Sequence, residues 1–290
     1  MKNIELLKLS LEAVMRASES ILSIYNDEIE VEYKDDGSPL TLADRKANDN
    51  ICKILSLSNF PILSEENSLE SYDKRKKWRK FWLIDPIDGT KGFIKKNGEF
   101  TINIAFLENN NPTIGVVYNP TSGILYCGFE NKAYKLIKNE NFDNFTSLIR
   151  NIDSYLSNLK PIKVNENTKT PVKVIGSKNH SNKKTRMIIS DIKNYFGSIE
   201  LQSSGSSIKI CLVAEGKADI YPRLGTTCEW DIAAAHAILK FAGGNIFIYK
   251  DELPISCYFN SSEFPQNIKY NKKFLQNPYF IVSGLHKYNM

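Results

Sequence analysis

The apolar positions at the start of the chain recur at helical spacing. Glutamate and lysine are among the residues between them, and one face of the segment is apolar, with Ile4, Leu7, Leu11, Val14, Ile21 and Tyr25 on it. This repeat predicts an amphipathic helix. A second helix is predicted to open at Thr41-Leu-Ala-Asp44, where the hydroxyl of Thr41 is placed to cap the first turn.

From about residue 81 the pattern changes to short apolar runs. Phe81–Ile84 predicts a strand that stops at Asp85-Pro86. Three further runs are divided by clusters of Asn, Pro and Gly and predict an antiparallel meander, namely Phe100–Leu107, Ile114–Tyr118 and Ile124–Phe129. Residues 138–168 are polar and lack a clear period, so they predict an irregular connection between two halves.

Strands and helices alternate in the second half of the chain. The predicted strands are Val172–Ile175, Ile199–Gln202, Ala218–Tyr221 and Asn245–Tyr249. The predicted helices between them are Lys183–Tyr195, Ile208–Ala214 and Asp231–Phe241. This alternation is typical of an α/β architecture.

Composition narrows the class of protein. Apolar residues make up 42% and charged residues 24% of the 290 residues, which is enough apolar mass for a sizeable core. The longest apolar stretches, such as Ile102–Leu107, are far shorter than the ~20 residues of a membrane helix. The N-terminus carries Glu5 and Lys8 where a secretory signal would be apolar. We therefore expect a cytoplasmic protein, with peripheral membrane attachment left open.

Two further features bear on function class. The five cysteines are scattered and show no Cys-x-x-Cys pair, which predicts reduced thiols instead of a disulfide framework or a zinc site. The net charge is +5, and the densest basic run spans residues 74–80. Such a run is typical of a nucleic-acid patch or of a solvated surface, and the second interpretation is favoured here.

The segment Trp82-Leu-Ile-Asp85-Pro-Ile-Asp88-Gly-Thr90 is the most informative for chemistry. An apolar strand delivers two carboxylates, three residues apart, at the point where the chain leaves the sheet. Carboxylate and carbonyl oxygens on one short arc suit a hard divalent cation such as Mg²⁺. The amides of Gly89 and Thr90 are placed to cradle a phosphate oxygen. An ordinary turn would also explain this segment taken alone.

Two other acidic segments favour the metal interpretation. Glu65-Glu66 follows a short apolar run, and Glu229-Trp230-Asp231 opens an alanine-rich helix. An aspartate at a helix start is commonly a cap, so Asp231 by itself is ambiguous. The three acidic segments together resemble the signature of the inositol monophosphatase superfamily, whose members are magnesium-dependent, lithium-sensitive phosphomonoesterases. The resemblance extends over nearly the whole chain.

Residues 88–101 and 205–216 resemble the CysQ branch of that superfamily, the 3'(2'),5'-bisphosphate nucleotidases. The resemblance implies that Glu65, Asp85, Asp88, Asp231 and the Ile87 carbonyl bind roughly two or three Mg²⁺ ions. It also implies that Asp44, Glu65 and Thr90 act on the attacking water. The substrate-binding residues implied are Gly89, Thr90, His180, Ser206, Lys209, Arg223 and Asp231.

The resemblance implies a fold and a reaction as well. The fold is the sugar-phosphatase α-β-α-β-α layered sandwich, combining an α+β half (residues 1–150) with an α/β half (residues 151–290) and the site between them. The reaction is hydrolysis of the 3'-phosphate of adenosine 3',5'-bisphosphate, whose sulfated form is a second candidate substrate. The partner is then a small nucleotide, with no specific nucleic acid and no transmembrane segment, and a homodimer is compatible.

Two alternatives remain open. One is an inositol monophosphatase-type enzyme with the same metals and a different alcohol pocket. The other is a non-enzymatic nucleic-acid-binding protein that uses the basic run at residues 74–80. Steeply salt-dependent RNA binding without phosphatase activity would support the latter.

Overall fold

A computed structural model describes residues 1–27, 29–34, 37, 39–165, 169–176, 183–259 and 265–285. The chain opens with helix α1 (Asn3–Tyr25), a small antiparallel pair β1 (Val31–Tyr33) and β2 (Pro39–Thr41), and helix α2 (Leu42–Leu55). The side chain of Thr41 accepts from the Ala43 N–H, and the carboxylate of Asp44 accepts from the Thr41 N–H. The predicted helix cap is therefore confirmed.

A six-stranded sheet follows. Its strands run in sequence order, β3 (Ile62–Ser64), β4 (Lys80–Asp88), β5 (Thr101–Glu108), β6 (Asn111–Asn119), β7 (Ile124–Phe129) and β8 (Lys132–Ile137). Strand β3 is parallel to β4, and the remaining neighbours are antiparallel, which confirms the predicted meander and adds β8 to it. Short helices α3 (Tyr72–Arg75) and α4 (Thr90–Ile94) lie in the connections on either side of β4.

Two predictions for the chain before residue 168 are wrong. Strand β4 does not end at Asp85: pairing with β5 is interrupted by a bulge and resumes where Asp88 pairs with Thr101. Pro86 lies inside that bulge, where the absence of an N–H removes no ladder hydrogen bond. Residues 138–168 contain two short helices, α5 (Phe145–Arg150) and α6 (Ile152–Asn158). Their buried apolar side chains are few and stand among asparagines, which hides the helical period.

A five-stranded mixed sheet forms in the second half. Its order is β10 (Ile199–Ser203), β9 (Val172–Gly176), β11 (Ile220–Arg223), β13 (Phe280–Ser283) and β12 (Asn245–Ile248). The helices are α7 (Lys183–Phe196), α8 (Ile208–Ala214) and α9 (Glu229–Phe241). Strand β13 was not anticipated from the sequence, whereas the alternation of the other elements is confirmed.

Three apolar cores define five layers. The first core joins α1 and α2 to one face of the six-stranded sheet, and the second joins the other face to α8, α9 and the five-stranded sheet. The third packs α7 on the far side of the five-stranded sheet. Helix α9 approaches β6 so closely that a Cβ on Gly115 would lie 2.1 Å from the Ala234 carbonyl oxygen. The predicted α-β-α-β-α sandwich is thus confirmed.

The apolar side chains of β4 alternate between two cores, so the strand is buried on both faces of the sheet. Trp82 and Ile84 point into the first core, while Phe81 and Leu83 point into the second. A strand buried on both faces has a continuous apolar run in its sequence.

The proposed division near residue 150 falls between the two sheets and stays a prediction. Within the described part of the chain, no helix combines the length and apolar character needed to span a bilayer, and all five cysteines are free thiols.

Candidate active site

Carboxylates from three separate segments meet between the two sheets. Ligand oxygens of Glu65, Asp85 and Asp231 all lie within 4.8 Å of one another. The parallel pairing of β3 with β4 places Glu65 beside Asp85, and the Glu65 N–H donates to the Ile84 carbonyl at 3.2 Å. Asp231 arrives from the first turn of α9, on the other side of the second core. The carboxylates predicted to share a metal are therefore brought together by tertiary structure.

The electrostatics of this cluster favour a bound cation. Burial raises the pKa of Asp85 well above its usual range, and the nearby carboxylates of Glu65 and Asp88 raise it further. Burial and the charge of Asp88 raise the pKa of Asp231 in the same way. Buried carboxylates that repel one another are costly unless a positive charge offsets them. An all-oxygen set of this kind fits a hard divalent cation such as Mg²⁺.

Asp88 stands beside this cluster and is held from the second half of the chain. Its Oδ2 accepts from the Ser206 hydroxyl at 2.7 Å and from the Ser207 N–H at 2.6 Å. Ser206 adopts a φ of 55°, a left-handed conformation that is uncommon for serine. The Ser207 N–H before α8 is thus directed at a carboxylate of the protein itself.

Asp44 and Thr90 form a pair at the edge of the cluster. The Thr90 hydroxyl lies 3.2 Å from the Ile87 carbonyl and 3.4 Å from Oδ1 of Asp44. The other oxygen of Asp44 accepts from the hydroxyl of Thr41 at 2.5 Å. Gly89, with a φ of 95°, makes the turn that carries the chain from Asp88 into α4. A residue with a Cβ would be strained there, and its Cβ would lie 2.7 Å from the Glu99 carbonyl oxygen.

One cavity of about 590 Å³ joins the carboxylate cluster to a cationic wall. Lys209 is buried, its ammonium donates to the Ser206 carbonyl at 2.7 Å, and burial lowers the pKa of Lys209 to about 8. Arg223 donates from Nη2 to the Thr226 carbonyl at 2.9 Å. Its buried Nε has no hydrogen-bond partner among the described residues. Both side chains line the cavity, as do Gly89, Thr90 and Ser206.

Comparison with known proteins identifies this arrangement. Residues 2–286 match the profile of the inositol monophosphatase family. The chain belongs to this family. It is 40% identical over 237 residues to the 3'(2'),5'-bisphosphate nucleotidase CysQ of Buchnera aphidicola subsp. Acyrthosiphon pisum, covering 79% of each protein.

Solved structures agree with this assignment. The crystal structure of CysQ from Bacteroides thetaiotaomicron, a bacterial member of the family, is 40% identical, with a TM-score of 0.76 and 97% of each chain covered. An inositol monophosphatase from Anabaena (Nostoc) sp. PCC 7120 is 20% identical, with a TM-score of 0.66, 97% of this chain and 91% of that one covered. The second likeness shows the shared fold alone.

The family site in this chain contains a residue that sequence reasoning missed. The ammonium of Lys34 lies 2.9 Å from Oε1 of Glu65 and 2.7 Å from Oε1 of Glu66. Burial lowers the pKa of Lys34, but the two carboxylates outweigh this effect and leave it raised. No local signal marks Lys34, because its partners lie more than thirty positions away.

Two other sequence predictions concern His180 and the basic run at residues 74–80. His180 falls outside the described residues, so its predicted role stays a prediction. The basic run at residues 74–80 does not form one open cationic patch. Arg75 is buried, Lys74 pairs with Glu70, and Lys76 pairs with Asp73. The charges of Lys74 and Lys76 are therefore offset by acidic partners at the surface, while Arg75 is buried among uncharged oxygens.

Proposed function

We propose that this chain is a metal-dependent 3'(2'),5'-bisphosphate nucleotidase that converts adenosine 3',5'-bisphosphate to AMP and phosphate. One observation carries the proposal: a single cavity holds the buried carboxylate cluster together with the cations Lys209 and Arg223. A substrate with one phosphate to be cleaved and a second to be recognised fits such a cavity. The CysQ nucleotidases that are 40% identical to the chain support it.

The metal-binding residues of the proposal are Glu65, Asp85, Asp88, Asp231 and the Ile87 carbonyl, which hold roughly two or three Mg²⁺ ions. When bound, Mg²⁺ supplies positive charge to the phosphoryl oxygens and makes a water more acidic. The protein supplies the geometry. Main-chain bonds hold Asp85 and Asp231, since the Ile87 N–H donates to Asp85 and the Cys228 N–H donates to Asp231.

Thr90 and Asp44 orient the attacking water in this proposal. A hydroxyl that donates to Asp44 or to the Ile87 carbonyl keeps its lone pairs available for a hydrogen bond from water. Asp44 itself cannot rotate freely, because Thr41 holds its second oxygen. A water held in one place relative to the phosphorus atom contributes to rate through orientation.

Lys209 and Arg223 bind the second phosphate in this proposal. The buried Nε of Arg223 lacks a partner in the described structure, and an anionic oxygen would satisfy it. An arginine recognises a phosphate with two parallel hydrogen bonds, and a lysine adds a point charge. Ser206, with the amides of Gly89 and Thr90, completes the substrate contacts, and His180 is proposed to contact the nucleotide.

The test is phosphate release from a panel of substrates with and without Mg²⁺. Adenosine 3',5'-bisphosphate is expected to be cleaved with the highest kcat/KM, above inositol monophosphate and fructose 1,6-bisphosphate. Activity is expected to vanish with a chelator and to fall with lithium. A higher kcat/KM for inositol monophosphate would instead assign the inositol phosphatase reaction, and no release from any substrate would overturn the proposal.

The cytoplasmic location and the homodimer remain part of the proposal. Free thiols at all five cysteines are consistent with a reducing compartment. Light scattering on the purified chain tests the dimer, for which a mass near twice 33.0 kDa is expected.

A further inference from the structure

Hydrogen bonds to Glu229 attach the first turn of α9 to a segment that is distant in sequence. The side chain of Glu229 is fully buried and lies two residues before Asp231. Its carboxylate accepts from the N–H of Asn271 at 2.6 Å, from the N–H of Lys272 at 3.0 Å and from the ammonium of Lys272 at 2.6 Å. The turn that presents a predicted metal ligand is therefore tied to residues 271–277, here called the strap.

The strap also holds the N-terminal end of that turn. The Asn277 side chain donates to the Cys228 carbonyl at 2.6 Å, and the Glu229 N–H donates to the Leu275 carbonyl at 2.9 Å. Cys228 in turn donates from its N–H to the Asp231 carboxylate at 2.9 Å. A chain of short hydrogen bonds thus leads from the strap to Asp231 itself.

Arg75 fixes the strap from the other side. Only 3% of Arg75 is exposed, although it belongs to the most basic run of the sequence. Its Nη1 donates to Oδ1 of Asn271 at 2.9 Å, its Nη2 donates to the Lys272 carbonyl at 3.3 Å, and its own carbonyl accepts from Nδ2 of Asn271 at 2.8 Å. Among the described residues, every acceptor of the guanidinium is an uncharged oxygen.

We propose that Arg75 and Asn271 are positioning residues for the metal centre, acting on Asp231 through Glu229. A buried guanidinium is costly, and an apolar side chain of similar size would fill the space at lower cost. Groups that orient a metal ligand commonly change metal affinity 10- to 100-fold when they are removed. The inference deepens the proposed function. Its kinetic readout rests on that function, whereas its metal-affinity readout does not.

The test compares Arg75→Met and Asn271→Gly with a control, Lys74→Met. Asn271 has a φ of 56°, so glycine keeps the main-chain conformation and the N–H to Glu229 while it removes both side-chain hydrogen bonds between Asn271 and Arg75. Lys74 lies on the same short helix, but it is exposed and pairs only with Glu70 in the described structure. Thermal unfolding without metal establishes that each variant is folded.

The probe is Mn²⁺, which takes the same oxygen ligands as Mg²⁺ and whose free concentration is read from its electron paramagnetic resonance signal. Mn²⁺ affinity is expected to fall about tenfold or more in both variants and to stay within about twofold of wild type in the control. The double variant is expected to lie close to the weaker-binding single variant, because both substitutions remove the hydrogen bond between the Arg75 guanidinium and Asn271. At saturating Mg²⁺ the site of each variant is filled despite its lower affinity. The kcat of each variant is therefore expected to lie closer to the wild-type value than its Mn²⁺ affinity does.

Unchanged Mn²⁺ affinity together with a lower unfolding temperature would overturn the proposal, since the link would then serve stability alone. If Arg75→Met does not fold, Asn271→Gly decides the question by itself. Failure of the proposed function is a separate result. A wild-type protein that binds Mn²⁺ but releases no phosphate from adenosine 3',5'-bisphosphate would overturn the function and leave the affinity comparison standing.

Discussion

The hydroxyl of Ser206 donates a 2.7 Å hydrogen bond to Oδ2 of Asp88, which ties the end of one sheet to the loop before α8 in the other half. The Ser207 N–H donates to the same oxygen. Oδ1 of Asp88 accepts no hydrogen bond within the described structure. The carboxylate is therefore held at one oxygen and available for coordination at the other.

Asp88→Asn is expected to keep the fold and to remove most activity. The amide retains one oxygen for Ser206 and Ser207, but it presents a neutral group to the metal and cannot offset its charge. We expect kcat/KM for adenosine 3',5'-bisphosphate to fall at least ~100-fold, about 2.7 kcal/mol. Steady-state kinetics at saturating Mg²⁺ and circular dichroism check this. Turnover equal to wild type would remove Asp88 from the metal site, and Asp73→Asn on the surface is the control.

Thr90→Ala is expected to lower kcat more than it raises KM. The hydroxyl of Thr90 bridges the Ile87 carbonyl and Asp44, so its loss disturbs the water and leaves the substrate contacts in place. Thr90→Ser keeps the hydroxyl and is expected to recover most of kcat. An effect of Thr90→Ala confined to KM would mean that Thr90 only binds substrate.

Arg223→Glu tests recognition of the second phosphate. Replacing a cation that binds a phosphate with a carboxylate is expected to lower kcat/KM for adenosine 3',5'-bisphosphate. The expected loss of transition-state stabilisation is roughly 2–4 kcal/mol. Adenosine 3'-monophosphate lacks the second phosphate, so kcat/KM for this substrate is expected to fall much less. Equal losses on the two substrates, or none on either, would favour the inositol phosphatase alternative. Arg16→Glu, on the exposed face of α1, serves as the control.

The pH dependence of catalysis is expected to report Lys209. Burial lowers the pKa of Lys209 to about 8, so its positive charge is present below that pH and is lost as the pH rises through it. We therefore expect kcat/KM for the bisphosphate to fall above about pH 8, and we expect no such fall for adenosine 3'-monophosphate. Lys209→Met should lower kcat/KM and abolish the inflection, and an inflection that persists in this variant would assign it to another group.

The same titration of Lys209 affects folding stability in the opposite direction: kcat/KM is expected to fall as Lys209 loses its proton, whereas stability is expected to rise. The pKa of Lys209 is lower in the folded protein than the ordinary value of 10.5, so the unfolded chain binds the proton more tightly between the two values. The contribution of Lys209 thus disfavours folding below about pH 8 and is relieved as the pH rises toward 10.5. The difference in free energy of unfolding between Lys209→Met and wild type should shrink over that range, as chemical denaturation would show.

Elements with signals inside one turn or one strand could be predicted from the sequence. The apolar repeat of α1 and the Thr41 cap of α2 are complete within a few positions, and both are found as predicted. Helices α5 and α6 were missed because their stability comes from packing on the first core, not from their own polar sequence. The bulge after Asp85 was missed because the register of β5 determines where pairing resumes.

The site divides in the same way. The residue types of the site and the family that they resemble could be recognised from the sequence, because the short acidic motifs are contiguous. The packing of the fold places Asp231 beside Glu65 and Asp85, pairs Lys34 with Glu65, and buries Arg75. These relations join positions tens to hundreds of residues apart, and they depend on sheet register and helix packing, which no local pattern records.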